Sequence, residues 1–124
     1  MNRAHLPNSS VRLSADARAL CDVFASMADE LENARVLGLR VEQTICGIAV
    51  RSSLDSAIVG ELQHLDAILQ QIAALRDFAA SLATAADPAQ MIETRTALDR
   101  ITLGDMRSRL AGELGGGEEG WEFL

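Results

Sequence analysis

Lysine and tyrosine are absent from this chain, and aromatic residues make up only 3% of it. Without lysine, all of its basic residues are arginines, and any site that requires an ammonium group must take it from a partner. Strands favour aromatic and β-branched side chains, so a composition with one Trp, three Phe and no Tyr points to helices. Proline is nearly missing as well: Pro7 and Pro88 can both lie outside helix interiors. An excess of positive charge is also lacking. The formal net charge of −7 excludes a general nucleic-acid binder, which needs a basic face, and disfavours docking on anionic lipid. No stretch approaches the roughly 20 apolar residues of a membrane span. The opening residues MNRAHLPNSS lack the apolar run of a signal peptide, so the expected location is the cytoplasm. The two cysteines, Cys21 and Cys46, would stand roughly 37 Å apart on one helix at about 1.5 Å per residue, too far to pair or share a metal. Free thiols in a reducing compartment are the expected state.

What is present is a chain of 124 residues, 48% apolar and dominated by Ala and Leu, which suits one domain with a helical core. Residues 1–13 read as a flexible N-terminus broken by Pro7. Ser14 and Asp16 suit a helix start, a side-chain cap followed by an acidic first turn. From there Leu20, Phe24, Met27, Leu31, Ala34, Gly38, Val41, Ile45 and Ile48 alternate steps of four and three. That is a heptad seam, and it predicts one helix from about Ser14 to about Arg51, with a break near Gly38 as the alternative. Arg51-Ser52-Ser53 reads as a turn, and Ser53 or Asp55 as the cap of a second helix. Its seam is Ile58, Leu62, Leu65, Leu69, Ile72, Leu75, Ala79 and Leu82, ending near Ala86. Two long helices joined by a short turn run antiparallel. Asp87-Pro88-Ala89-Gln90 reads as a third helix start, with Asp87 as cap and Pro88 in the first position. That helix would carry Met91, Ile92, Leu98, Ile101, Leu103, Met106 and Leu110, with a kink or break around Gly104. The expected architecture is therefore all-α: a long antiparallel hairpin plus a shorter third helix, within 14–112. Val23, Leu37, Ile68 and Leu75 widen the apolar stripe beyond a two-helix seam, which predicts a homodimer forming a four-helix bundle. Residues 113–124 read as a glycine linker and an acidic-aromatic tail.

The residues suited to chemistry lie on the second helix. At about 100° per residue, Gln63, Asp66 and Gln70 share a polar stripe beside the leucine seam. Asp66 and Gln70 are four apart, so their side chains stand one turn apart on one face. A carboxylate can hold a partner's cation, and an amide, which both donates and accepts, can position a water. The same spacing also occurs on many plain solvated helix faces.

Asp66-Ala67-Ile68-Leu69-Gln70, preceded by Gln63, resembles the D-x-x-x-Q motif of the CheZ-type chemotaxis phosphatases, especially the short alphaproteobacterial CheT-like relatives. The motif match covers about a dozen residues, and the hairpin extends the likeness to most of the chain. That resemblance implies hairpins paired into a four-helix bundle and a phosphorylated CheY-like response regulator as partner. It implies that Gln70 orients the water attacking an aspartyl-phosphate, that Asp66 pairs with the regulator's active-site lysine, and that Gln63 is auxiliary. It implies no cofactor on this chain, with Mg²⁺ held by the regulator. The tail residues Glu118, Glu119, Trp121, Glu122, Phe123 and Leu124 are similar in character to the family's regulator-binding tail. The chain is much shorter than the longest members, and the third helix has no counterpart in the motif.

Two other readings compete. His64 could belong to a histidine phosphotransfer module, although such modules carry a lysine shortly after the histidine, whereas Leu65-Asp66-Ala67 follows here. A dimeric helical scaffold with a peptide-like tail would make Asp66 and Gln70 ordinary surface. Glu61, His64 and Asp66 lack metal-ligand spacing, and Gly115-Gly116-Gly117 has no P-loop context.

Overall fold

The computed structural model describes residues 17–51 and 56–113. The architecture is all-α apart from one short strand pair. In chain order it comprises β1 (Ala17–Ala19), α1 (Leu20–Arg51), α2 (Ser56–Ala85), β2 (Met91–Glu93), α3 (Arg95–Leu98) and α4 (Gly104–Leu110). Helix α1 runs unbroken through Gly38 for 32 residues. The expected caps Ser14, Ser53 and Asp55, and residues 1–13, lie outside the described residues.

Helices α1 and α2 pack against each other along their length. The pairing is antiparallel: Glu32 meets Arg76, Gly38 faces Leu69 midway, and Ile45 shares a groove with Ile58 and Leu62 toward the end of α1 and the start of α2. Leu69 and Ala79 of α2 and Ala28 and Ala49 of α1 are the buried apolar residues, so small side chains let the helices close on one another. Several expected seam residues lie off the seam. Met27, Val41 and Ile48 are 41–51% exposed, because a straight helix drifts by about 20° per heptad from a strict seven-residue repeat. Leu75 is 54% exposed. Continuing the four-three alternation past Ile72 reaches Arg76, and this arginine turns inward to Glu32, with Nη1 to Oε1 at 2.6 Å.

Gly38 and Gly47 make opposite predictions. A Cβ at Gly38 would overlap Cδ2 of Leu69, whose side chain is buried and has little room to move. Gly38→Ala gains about 1 kcal/mol of helix propensity but meets about 1–3 kcal/mol of overpacking, so a net loss is expected. Gly47 has nothing within 4 Å of such a Cβ, and Gly47→Ala should stabilise by about 0.5–1 kcal/mol. Urea midpoints check both signs, and a Gly38→Ala protein more stable than the parent would refute the close approach.

The chain beyond α2 departs from the expected third helix. Asp87 caps a turn instead: its Oδ1 accepts from the Ala89 amide at 2.9 Å, and its carbonyl from the Gln90 amide at 3.0 Å. Pro88, with its fixed φ, suits a turn as well as a helix start. The Gln90 carbonyl then accepts from the Leu20 amide at 2.8 Å, one of the donors that the start of α1 leaves unpaired. Met91 and Ile92 are drawn into an antiparallel pair, Ala19 opposite Met91 and Arg18 opposite Ile92. Helical structure resumes only as two short pieces, with the break at 99–103 and Gly104 opening α4.

Candidate functional site

Asp66 and Gln70 project from the middle of α2, a continuous helix of 30 residues, so their relative placement is set by backbone geometry. Both are exposed. The Gln70 Nε2 donates to Asp66 Oδ2 at 2.9 Å. This bond engages the amide nitrogen with the carboxylate and leaves the amide oxygen free to accept from water. Gln63, also exposed, completes the polar stripe one turn earlier. Ile68 and Leu75 lie about 160–180° of helical wheel away from Asp66. The polar stripe and the exposed apolar stripe of α2 therefore occupy opposite sides of one helix.

His64 is separate from this stripe. Its Nδ1 lies 3.9 Å from Glu61 Oε1, with both side chains more than three-quarters exposed, a loose surface pair. Among the described residues no group of His, Cys, Asp or Glu could hold a metal ion, and no helix is long and apolar enough to cross a membrane. The tail residues Glu118, Glu119, Trp121, Glu122, Phe123 and Leu124 lie outside the described residues.

Two charge networks were not legible in the sequence. One joins the hairpin: Glu32 accepts from Arg35 Nε at 2.9 Å and Nη2 at 2.7 Å, and from Arg76 across the seam. The hydrogen bonds from Arg35 and then Arg76 lower the Glu32 pKa from 4.5 to about 2. A depressed carboxyl pKa contributes stability that is full above pH 4.5 and lost as pH falls through about 2. The Glu32 side chain is 39% exposed, so screening keeps the contribution below about 1 kcal/mol. The parent and Glu32→Gln should therefore differ in urea midpoint near neutral pH and converge as pH approaches 2. A difference that grows on acidification would contradict the pairing.

The other network holds α4 against α1. The Arg109 Nε and Nη2 donate to the two carboxylate oxygens of Glu30, the latter at 3.0 Å, and Glu30 is only 8% exposed. Arg18 Nη1 donates to the Leu110 carbonyl at 2.6 Å. Gly112 then ends the helix: at φ 86° its amide donates to the Arg109 carbonyl, and the Glu113 amide to the Ser108 carbonyl. That is a Schellman arrangement, and a Cβ at Gly112 would also crowd the Arg18 guanidinium. Arg107 and Arg109 stand in the last turn of α4, where basic side chains suit a helix C-terminus, and nothing local marks Glu30 as the partner of Arg109.

Comparison with curated proteins and with solved structures finds no match. One family, described as a domain of unknown function (DUF8776), matches residues 16–120. That span takes in both long helices, the polar stripe on α2 and the C-terminal helices, and the chain belongs to the DUF8776 family.

Proposed function

We propose that this protein is a phosphatase that accelerates dephosphorylation of a CheY-like response regulator in chemotaxis or two-component signalling in the cytoplasm. The observation that supports the reading is the exposed Asp66–Gln70 pair, one turn apart on a rigid helix and joined at 2.9 Å. On docking, the regulator's lysine ammonium takes the Asp66 carboxylate. The Gln70 amide enters the phosphorylation site, and its oxygen accepts a hydrogen bond from a water in line with the phosphorus. Water attacks phosphorus, the bond to the regulator's aspartyl oxygen breaks, and inorganic phosphate and a free carboxylate result. Phosphoryl transfer has a loose transition state, so positioning supplies most of the effect. A neutral amide adds no negative charge against the phosphoryl oxygens. Mg²⁺ belongs to the regulator, and this chain brings no cofactor of its own.

The active form in this reading is a homodimer. Ile68 and Leu75 are 51–54% exposed along one side of α2, and pairing two hairpins through that stripe leaves Asp66 and Gln70 open on the other side. The tail, with Glu118, Glu119, Trp121, Glu122, Phe123 and Leu124, tethers the regulator and raises its local concentration near Gln70. The same apolar stripe favours a second reading, a non-enzymatic dimeric scaffold. Following phosphate loss from labelled phospho-regulators with and without this protein separates the two. Unchanged decay across the candidate regulators leaves the scaffold.

A further inference from the structure

One side of α1 carries a single stripe, and the protein covers only part of it. Glu30, Leu37, Val41 and Ile48 fall within about 40° of one another on the helical wheel. Helix α4 covers the stripe at Glu30 through Arg109. Beyond that point it lies open as a groove of about 540 Å³ lined by Leu37, Arg40, Val41, Thr44 and Ile45. Val41 and Ile48 are about half exposed there. Arg40, also exposed, has no ion-pair partner among the described residues.

The chain that follows α4 has the matching chemistry. Residues 118–124 read Glu-Glu-Gly-Trp-Glu-Phe-Leu, apolar anchors interleaved with carboxylates. The starting point is placed, since the Glu113 amide donates to the Ser108 carbonyl at 3.0 Å. Gly112 lies against the Arg18 guanidinium, which reaches Ser26, and from Ser26 to Val41 along α1 is about 22 Å at ~1.5 Å per residue. From Glu113 to Trp121 the chain can span about 27 Å at ~3.4 Å per residue. The chain therefore leaves α4 about one turn before Glu30 on α1, and its length is enough for Trp121 to reach the open part of the stripe.

We propose that residues 118–124 dock in cis on the α1 groove, with Trp121 and Phe123 against Leu37, Val41 and Ile45, and a glutamate paired with Arg40. This inference stands apart from the phosphatase reading, because it needs only the groove, Arg40 and the reach of the chain. If both hold, the groove and the regulator compete for one tail, and docking in cis sets how much tail is available.

Trp121 is the only tryptophan, so its emission reports the docking in the full-length protein without a label. The expected result is blue-shifted emission, shielded from acrylamide and independent of protein concentration. Val41→Glu should shift the emission to the red and raise the quenching constant several-fold, with helicity by circular dichroism unchanged. Val50→Glu, on the far side of α1 at a position 78% exposed, should leave the emission as in the parent. Emission in the parent equal to that of Val41→Glu overturns the proposal. Shielding that appears only as concentration rises through a dimerisation seen by sedimentation overturns it too, since the occupant is then a second copy.

Discussion

Gln70→Ala is expected to lower the maximal rate of regulator dephosphorylation by about 10²–10³-fold, the usual cost of removing one preorganised group that acts on the transition state. The position is exposed and alanine favours helix, so α2 should be unaffected. Regulator affinity should change little, because the Gln70 interaction with the attacking water develops at the transition state. Asp66→Ala should behave differently. It removes the carboxylate proposed to dock the regulator and also the acceptor that engages the Gln70 amide nitrogen at 2.9 Å. The regulator concentration for half-maximal rate should rise together with a fall in the rate at saturation. Measuring phosphate loss over a regulator titration for the three proteins separates these effects. If Gln70→Ala works as fast as the parent, the site assignment fails, whatever the tail does.

Glu30→Ala should cost about 3 kcal/mol, the lower end for breaking a buried ion pair by removing one partner. The Arg109 guanidinium would lose both of its hydrogen bonds to Glu30, while its Nη1 is already buried without a partner among the described residues. Helix α4 has only 7 residues and cannot persist alone in water, so it should melt once the pair is gone. The hairpin should remain, since Leu69, Ala79 and the Glu32–Arg76 bridge lie elsewhere along the α1–α2 seam. Amide exchange of residues 104–110 should accelerate far more than exchange in α2. Arg107→Ala provides the contrast: that arginine pairs with Asp99 at 3.0 Å with both side chains about half exposed, which is worth under about 1 kcal/mol. Equal protection of α4 in the parent and Glu30→Ala proteins would show that the buried pair does not hold it.

The two predictions rest on residues of different legibility. Asp66 and Gln70 could be found in the sequence because a spacing of four on a long apolar-periodic helix determines that they share a face. Glu30 could not. It sits among other acidic residues on α1, and its partner is 79 residues away, with no pattern linking the two. Arg76 was missed for a related reason: apolar matching preferred Leu75, although the four-three alternation pointed one residue on. Asp87-Pro88 misled because the same two residues serve a helix cap and a turn equally well.

Sequence alone determined the helical class, the antiparallel hairpin and the polar stripe on α2. Composition, heptad period and i, i+4 spacing act within a few turns, so they can be read from neighbouring residues. Tertiary structure decided the rest. The Leu20 amide drew the Gln90 carbonyl and turned the expected third-helix start into β2, because an unpaired donor at the start of α1 needed an acceptor. The buried Glu30 carboxylate required a cation, and the fold brought Arg109 to it. These choices depend on which groups the folded hairpin leaves unsatisfied, a property that exists only once the two long helices have packed.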